Sequence, residues 1–246
     1  DANNQFAFDI YGDIKSDKGN IFFSPYSISS ALAMVYEGAK GETAEQIRST
    51  LHLPEDKASL RSDFAAIYND INSQSDQYQL STANALWGQE GFSFNQGYVG
   101  VVEDFYGGKL TNLDFKTDTE NSRQTINTWV EDQTNDKIKN LIPKGMITHD
   151  TKLVLTNAVY FKGDWQKEFN KNKTENMTFR ASSGEKKVPT MQMTGEESKF
   201  AYTENDGLQA LEMDYNGENI SMLILLPKSD DISSIDNYLD LEKLDG

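Results

Sequence analysis

TNAVYFKGDW, residues 156–165, is the stretch of this 246-residue chain that says most about its fold. Together with the residues just before it, this stretch makes 153–161 apolar on both faces, a pattern typical of a strand covered above and below. We therefore predict a buried central strand. Asn157 interrupts the pattern. It shares a strand face with Leu155 and Val159, and its amide would cost about 1 to 3 kcal/mol if it were buried without hydrogen bonds.

A second polar feature lies near the start of the chain, where Ser24 and Pro25 predict the N-cap and the first turn of a helix. Its apolar positions recur at helical spacing, at Ile28, Ala31, Leu32 and Val35. Ser27 shares the face of Ile28 and Ala31. We expect the hydroxyls of Ser24 and Ser27 to point at the core and to meet Asn157 in a small polar cluster. The alternative is that Ser24 is only an N-cap, Ser27 only a first-turn residue, and Asn157 is bonded to water.

Helical and extended patterns are mixed along the rest of the chain. Helices are predicted at 3–15, from a capping box at Thr43 to Gln46, and at 60–71, 95–106, 119–138 and 232–244. Strands are predicted at 21–23, 78–87, 110–115 and 220–226. The 119–138 helix carries Ile126, Trp129 and Val130 on one side. Since repeats, low-complexity tracts and linkers are absent from the sequence, we predict one domain of the α+β class spanning residues 1–246.

Composition predicts a folded, anionic protein. The 13 Phe, 11 Tyr and 3 Trp supply bulky core side chains, although only 37% of residues are hydrophobic. Against 39 Asp and Glu, the 23 Lys and Arg leave a net charge of -16, which argues against nucleic acid as a partner. The anionic surface would also repel anionic lipid heads, and no apolar run is long enough to span a membrane, so no membrane partner is expected. The absence of Cys excludes disulfides and thiol catalysis and leaves the compartment open.

Residues that could carry catalysis or bind a metal are few. The only two His, His52 and His149, lie in unrelated segments and are predicted to be ordinary surface or loop residues. Motifs for zinc proteases, serine hydrolases and nucleotide binding are absent from the sequence. We therefore predict no catalytic residue, no metal and no cofactor. A carboxylate-based hydrolase remains an alternative, because Asp and Glu are abundant.

Both polar stretches resemble a known family. NIFFSPYS, residues 20–27, resembles the serpin segment that ends a buried strand and begins helix B, and residues 156–165, followed by Phe169, resemble the third strand of sheet A running into the breach. Further matches follow in the family's order at 38–43, 134–138 and 188–191. The resemblance covers the whole chain and points to a microbial serpin. Asp136 departs from the family's usual Gly at a left-handed helix stop, which Asn135 can supply instead.

The resemblance implies a serpin fold: helices packed around a large sheet A, with smaller sheets B and C, incomplete at the C-terminus. It assigns Asn20, Ser24, Ser27 and Asn157 to the shutter, and Gly163 and Trp165 to the breach. Both regions open when sheet A accepts an extra strand. The 119–138 helix would be helix F, lying across sheet A.

The implied function is inhibition of a serine protease, with a cysteine protease as the second target class. In this family a cleaved reactive loop inserts beside the third strand of sheet A and traps the protease, so the inhibitor is used once. The hinge, the reactive loop and its specificity residue would lie beyond Gly246, so we expect no reactive-site residue in this chain. The alternative is a non-inhibitory serpin acting as a carrier, chaperone or storage protein.

The remaining expectations concern setting and partners. The family implies an extracellular or cell-envelope protein, with the cytoplasm as the alternative, and a monomer able to form loop–sheet polymers. Heparin-type activation is not expected, because residues 56–76 offer only Lys57 and Arg61 among several acidic residues.

Overall fold

The computed structural model describes residues 1–17, 19–73, 75–181, 183–229 and 231–239. Its α-helices are α1 (Ala2–Ile14), α2 (Pro25–Gly38), α3 (Gly41–Thr50), α4 (Lys57–Ile71), α5 (Gln96–Tyr106) and α6 (Thr119–Gln133). Its strands are β1 (Tyr78–Gln89), β2 (Lys109–Leu113), β3 (Leu153–Gly163), β4 (Glu175–Ala181), β5 (Gly184–Thr190), β6 (Ala201–Glu204), β7 (Leu208–Asp214) and β8 (Ser221–Pro227). Short 3-10 helices occupy Lys171–Lys173, Gly195–Ser198 and Ile232–Asn237.

The chain divides into two compact units. Asp1–Gln74 with Leu80–Phe161 form the first unit, and Ser75–Gln79 with Lys162–Gly246 form the second. The first unit holds the six α-helices and most of a sheet of strand order β2-β1-β3, in which β1 and β2 are parallel. The second holds the β4–β5 hairpin and the antiparallel sheet β6-β7-β8. The single domain over residues 1–246 stays a prediction.

The sheet of the first unit separates two hydrophobic cores. Successive side chains of a strand point to opposite faces. Leu86 of β1 therefore joins the core formed by α1, α2, α4 and α5, while its neighbour Trp87 joins the core under α6. Trp129 of α6 packs edge-on against Trp87, with ring centroids 5.4 Å apart. Helix α6 thus lies on the sheet through the side that the sequence predicted.

Helix α2 buries a different face from the predicted one. Ser29, Ser30 and Ala33 are buried, whereas Leu32 and Val35 are 38% and 42% exposed. Small side chains let the helix approach its neighbours closely, and the buried hydroxyls have partners: Ser29 Oγ donates to Asn3 Oδ1 at 2.8 Å. Apolar periodicity favours the face that is exposed in the structure, so the prediction of which face of α2 is buried was wrong.

Helix α3 begins before the predicted capping box. It starts at Gly41, and its N-cap residue Lys40 makes no side-chain capping bond. Thr43 and Gln46 lie inside the helix, where Gln46 Nε2 donates to Glu42 Oε1 at 3.1 Å. The Glu42 carboxylate in the first turn favours this earlier start, because it lies near the positive end of the helix dipole.

Helix α6 ends at Gln133, earlier than the predicted residue 138. Asn135 and Asp136 both adopt left-handed backbone conformations, with φ of 47° and 60°. The N–H of Asp136 donates to the carbonyl of Glu131 at 2.9 Å, which caps the helix. Asn135 therefore supplies a left-handed stop, as expected, and Asp136 adopts one as well.

Strand β3 is less covered than its apolar pattern predicted. It is an edge strand of the described sheet, and Leu153 and Phe161 near its ends are each 39% exposed, while Thr156 and Ala158 at its centre are buried. The predicted strand at 21–23 forms neither helix nor strand, and Phe22 is fully exposed. Of the predicted helix 232–244, residues 232–237 form a 3-10 helix and residues 240–246 lie outside the described residues.

Candidate functional site

The start of α2 contacts the middle of β3 through polar side chains. Ser24 has an extended backbone, and its Oγ accepts the N–H of Ser27 at 3.3 Å, which makes it the N-cap. The hydroxyl of Ser27 donates to Oδ1 of Asn157. The structure thus brings Ser27 and Asn157 together, while Ser24 caps the helix, as the alternative interpretation had it.

A second asparagine extends this contact into the core. Nδ2 of Asn157 donates to Oδ1 of Asn84 on β1 at 2.7 Å. Nδ2 of Asn84 in turn donates to the backbone carbonyl of Tyr106 at 2.8 Å and lies 3.4 Å from Oγ of Ser30. We call Ser27, Asn157, Asn84, Ser30 and the Tyr106 carbonyl the polar seam.

The polar seam is satisfied at both of its amides. Asn84 is only 4% exposed, so its side-chain amide has no access to water and depends on these hydrogen bonds within the protein. The Tyr106 carbonyl is available because it belongs to the last turn of α5, where carbonyls lack partners within the helix. Gly107 ends that helix in a left-handed conformation, with φ of 65°. Removing one member would therefore leave its neighbours buried without a partner.

Every group in the seam is uncharged. Tyr26, beside it, is also neutral at physiological pH, and burial raises its pKa further, to about 12, against the opposing effect of its hydrogen bond with Ser30. Neutral amides and hydroxyls can exchange one partner for another without moving a charge into a medium of low polarity. The seam is therefore suited to a contact that breaks and re-forms.

Sequence reasoning missed Asn84 and Ser30. The signal for Asn84 was present, since it lies within the strand predicted at 78–87 and interrupts the apolar residues around it, as Asn157 does in β3. Ser30 had no such signal, because a serine within a helix is equally common on an exposed face. Asn20, assigned to the shutter by resemblance, is exposed and has no hydrogen bond to the seam within the described ranges.

On the opposite face of the sheet, a side-chain hydrogen bond joins the same two strands. Nε1 of Trp87 on β1 donates to Oγ1 of Thr156 on β3 at 2.9 Å, and both side chains are buried. Thr156 precedes Asn157, so consecutive residues of β3 are hydrogen-bonded to β1 on both faces of the sheet. Strands β1 and β3 are thereby held to each other by side chains as well as by the backbone.

The predicted breach residues lie in the second unit. Gly163 is the last residue of β3. The ring of Trp165 stacks on Tyr215, with centroids 4.3 Å apart and an angle of 14°. Backbone bonds hold the two together on either side, from Gln166 N to the Asp214 carbonyl and from Asn216 N to the Asp164 carbonyl, each 2.9 Å. Sequence reasoning did not identify Tyr215, which is buried and whose pKa is raised by that burial.

The histidines lie on the surface. His52 Nε2 contacts Asp9 Oδ2 at 2.6 Å with both side chains exposed, and His149 is 73% exposed. Among the residues that the structure describes, no cluster of His, Cys, Asp or Glu could hold a metal ion. Within the same ranges, every helix is too short or too polar to cross a membrane.

Comparison with known proteins identifies the family. The family described as serpin (serine protease inhibitor) matches residues 1–246. An uncharacterized serpin-like protein of Methanosarcina acetivorans is 43% identical over 242 residues, which cover 98% of this chain and 56% of that protein. Human leukocyte elastase inhibitor is 40% identical over 250 residues, covering 99% of this chain and 66% of that protein. The solved structure of emu ovalbumin matches with a TM-score of 0.91 at 32% identity, covering 99% of this chain and 67% of that one.

These matches confirm the predicted fold and family. The chain spans about half the length of the curated archaeal relative described above. The matching family is described as one of serine protease inhibitors, which are not enzymes. With a match that extends over its full length, this chain belongs to the serpin family.

Proposed function

We propose that the whole protein inhibits a serine protease as a suicide substrate, with a cysteine protease as the second target class. The family's description and the name of the human relative support protease inhibition. In this proposal a cleaved reactive loop inserts as a strand beside β3. We further propose that the protein acts outside the cell or in the cell envelope, which rests on the family alone.

The polar seam carries this proposal. A strand can insert beside β3 only if the sheet shifts over α2, and at the start of α2 the contact with the middle of β3 includes the neutral Ser27–Asn157 hydrogen bond. In addition, β3 is an edge strand of the described sheet, and an edge strand presents backbone N–H and C=O groups to an incoming strand.

We propose that heparin does not activate the protein. The two cations of the α4 region are already occupied. Arg61 Nη2 lies 2.8 Å and Lys57 Nζ 3.7 Å from the carboxylate of Glu37. In addition, a net charge of -16 makes the protein as a whole repel a polyanion. A heparin-dependent increase in the inhibition rate would contradict this expectation.

The test is to incubate the whole protein with trypsin-like, chymotrypsin-like, subtilisin-like and papain-like proteases and to run the mixtures on SDS gels. We expect a covalent complex with at least one of them that survives SDS. The same protease with its nucleophile chemically blocked is the matched control and should give no complex. Digestion by all of these proteases without a complex would overturn the proposal in favour of a non-inhibitory role.

A further inference from the structure

Glu37, in the last turn of α2, has an unusual environment. Its side chain is only 1% exposed, although a carboxylate at the C-terminal end of a helix faces the negative end of the helix dipole. Oε1 accepts from Arg61 Nε at 3.0 Å and from the Tyr106 hydroxyl at 3.1 Å, and Oε2 accepts from Arg61 Nη2 at 2.8 Å. A charge buried against the dipole needs such compensation.

The protonation states of Glu37 and Tyr106 determine which of the two donates the hydrogen bond. Burial raises the pKa of Glu37, but the hydrogen bonds and charge of Arg61, the charge of Lys57 and the hydroxyl of Tyr106 together lower it below the usual range, so the carboxylate is ionised. Burial and the neighbouring Glu37 charge raise the pKa of Tyr106, so its hydroxyl keeps its proton and donates. The Tyr106–Glu37 bond is therefore a charge-assisted one.

Tyr106 uses both of its ends. The hydroxyl is held by Glu37, and the backbone carbonyl accepts from Asn84 in the polar seam. Between them the ring is 1% exposed and packs against Phe64, with centroids 5.1 Å apart. A residue fixed at the hydroxyl, the ring and the carbonyl has little freedom, so the position of its hydroxyl constrains the position of its carbonyl.

We infer that Glu37, with Arg61, is a positioning residue for the polar seam, acting through Tyr106 to hold the carbonyl that Asn84 and, through it, Asn157 depend on. Hydrogen bonds run from Arg61 on α4 through Glu37 to the Tyr106 hydroxyl. They continue from the Tyr106 carbonyl through Asn84 on β1 to Asn157 on β3. Loosening the Tyr106 hydroxyl should therefore make the Asn157 amide open more often. The consequence for loop insertion rests on the proposed function, but the link to the seam does not.

The test is NMR hydrogen exchange at the side-chain amides of Asn84 and Asn157 in the 246-residue chain. Tyr106→Phe removes the single bond to Glu37 and leaves the backbone carbonyl in place. We expect it to speed exchange at both amides by about threefold to tenfold, part of what a charge-assisted hydrogen bond is worth. Tyr98→Phe, a partly buried tyrosine on the same helix, is the matched control and should leave both rates unchanged.

Two further readouts separate positioning from general loosening. The indole N–H of Trp87, bonded to Thr156 on the other face of the sheet, should keep its exchange rate in Tyr106→Phe. Among Glu37 variants, Glu37→Gln keeps an acceptor for Tyr106 and should restore most of the protection that Glu37→Leu loses.

Three outcomes would overturn the inference: wild-type exchange in Tyr106→Phe, equal acceleration at the Trp87 indole, or the same effect from Tyr98→Phe. Exchange is measured without any protease. If the protein shows the predicted exchange but forms no complex with a protease, the inference stands and the proposed function is wrong. If it forms the complex but does not show the predicted exchange, the proposed function stands and the inference is wrong.

Discussion

Asn157 has partners at both ends of its side-chain amide, Ser27 at Oδ1 and Asn84 at Nδ2. Asn157→Ala removes both hydrogen bonds and leaves the Asn84 side-chain carbonyl and the Ser27 hydroxyl facing an apolar methyl group. We expect the free energy of unfolding to fall by about 1 to 3 kcal/mol. Denaturant unfolding measures this loss, and Asn172→Ala at an exposed position is the control. Equal midpoints for the two variants would contradict the seam.

The ionisation of Glu37 makes part of the stability depend on pH. Since the pKa of Glu37 in the folded state lies below its ordinary value of 4.5, the ionised carboxylate stabilises the fold above that value. This contribution is lost as the pH falls through the lowered pKa. We expect the wild type to exceed Glu37→Gln in unfolding free energy by about 1 to 2 kcal/mol at neutral pH, with the gap closing below about pH 4.

Chemical denaturation of both proteins at several pH values measures that gap. A gap that stays constant down to acid pH would mean that the carboxylate acts through shape and not through charge. Arg61 keeps its charge throughout this range, because its hydrogen bond to Glu37 raises the pKa of its guanidinium, so its titration does not affect the comparison.

At the scale of single residues, the sequence predicted one half of the site. The meeting of Ser27 with Asn157 follows from polar residues placed on apolar faces, a local signal in each segment. Ser30 and Tyr106 could not be found this way. Tyr106 takes part through its backbone carbonyl, which every residue has, and its availability depends on where α5 ends.

The end of α5 offers a test at the scale of the element. Gly107 adopts a φ of 65°, and a Cβ built on it would lie 2.0 Å from Cζ of Tyr68. Gly107→Ala should therefore destabilise the protein by about 2 kcal/mol or more, from backbone strain and overpacking together.

Gly100, inside the same helix, is the matched control, because a Cβ there would meet no atom within 4 Å apart from its chain neighbours and the backbone of its own helix. Gly100→Ala should stabilise the protein by about 0.5 to 1 kcal/mol, since alanine favours a helix interior. Thermal unfolding of the two variants measures both effects. Shifts of the same sign would contradict the described end of α5.

Elements with a clear period were predicted well, and errors arose where tertiary packing overrides the pattern. The helix at α5 and the strand at β1 agree with the structure to within a few residues. Helix α2 buries its serine face because those hydroxyls find partners, and β3 is exposed near its ends because it lies at a sheet edge. A local sequence pattern shows neither the hydrogen-bond partners of these serines nor the position of β3 at the edge of the sheet. Periodicity did not predict the order of the strands in the sheets, and the family resemblance implied only that there are sheets A, B and C.

At the scale of the whole molecule, the proposed mechanism requires a native state that is not the most stable fold of the chain. A loop that inserts beside β3 would pair its backbone with that strand and bury additional apolar surface. This stabilisation is available only after the loop is cut, so the uncut protein should be metastable.

The most direct test is the melting temperature of the whole protein before and after a single cut in its reactive loop. If the loop inserts beside β3, the cut protein should melt at a clearly higher temperature than the intact one. Asn157→Ala should lower the melting temperature of the intact form in the same experiment. An unchanged or lower melting temperature after the cut would contradict loop insertion and with it the proposed mechanism of inhibition.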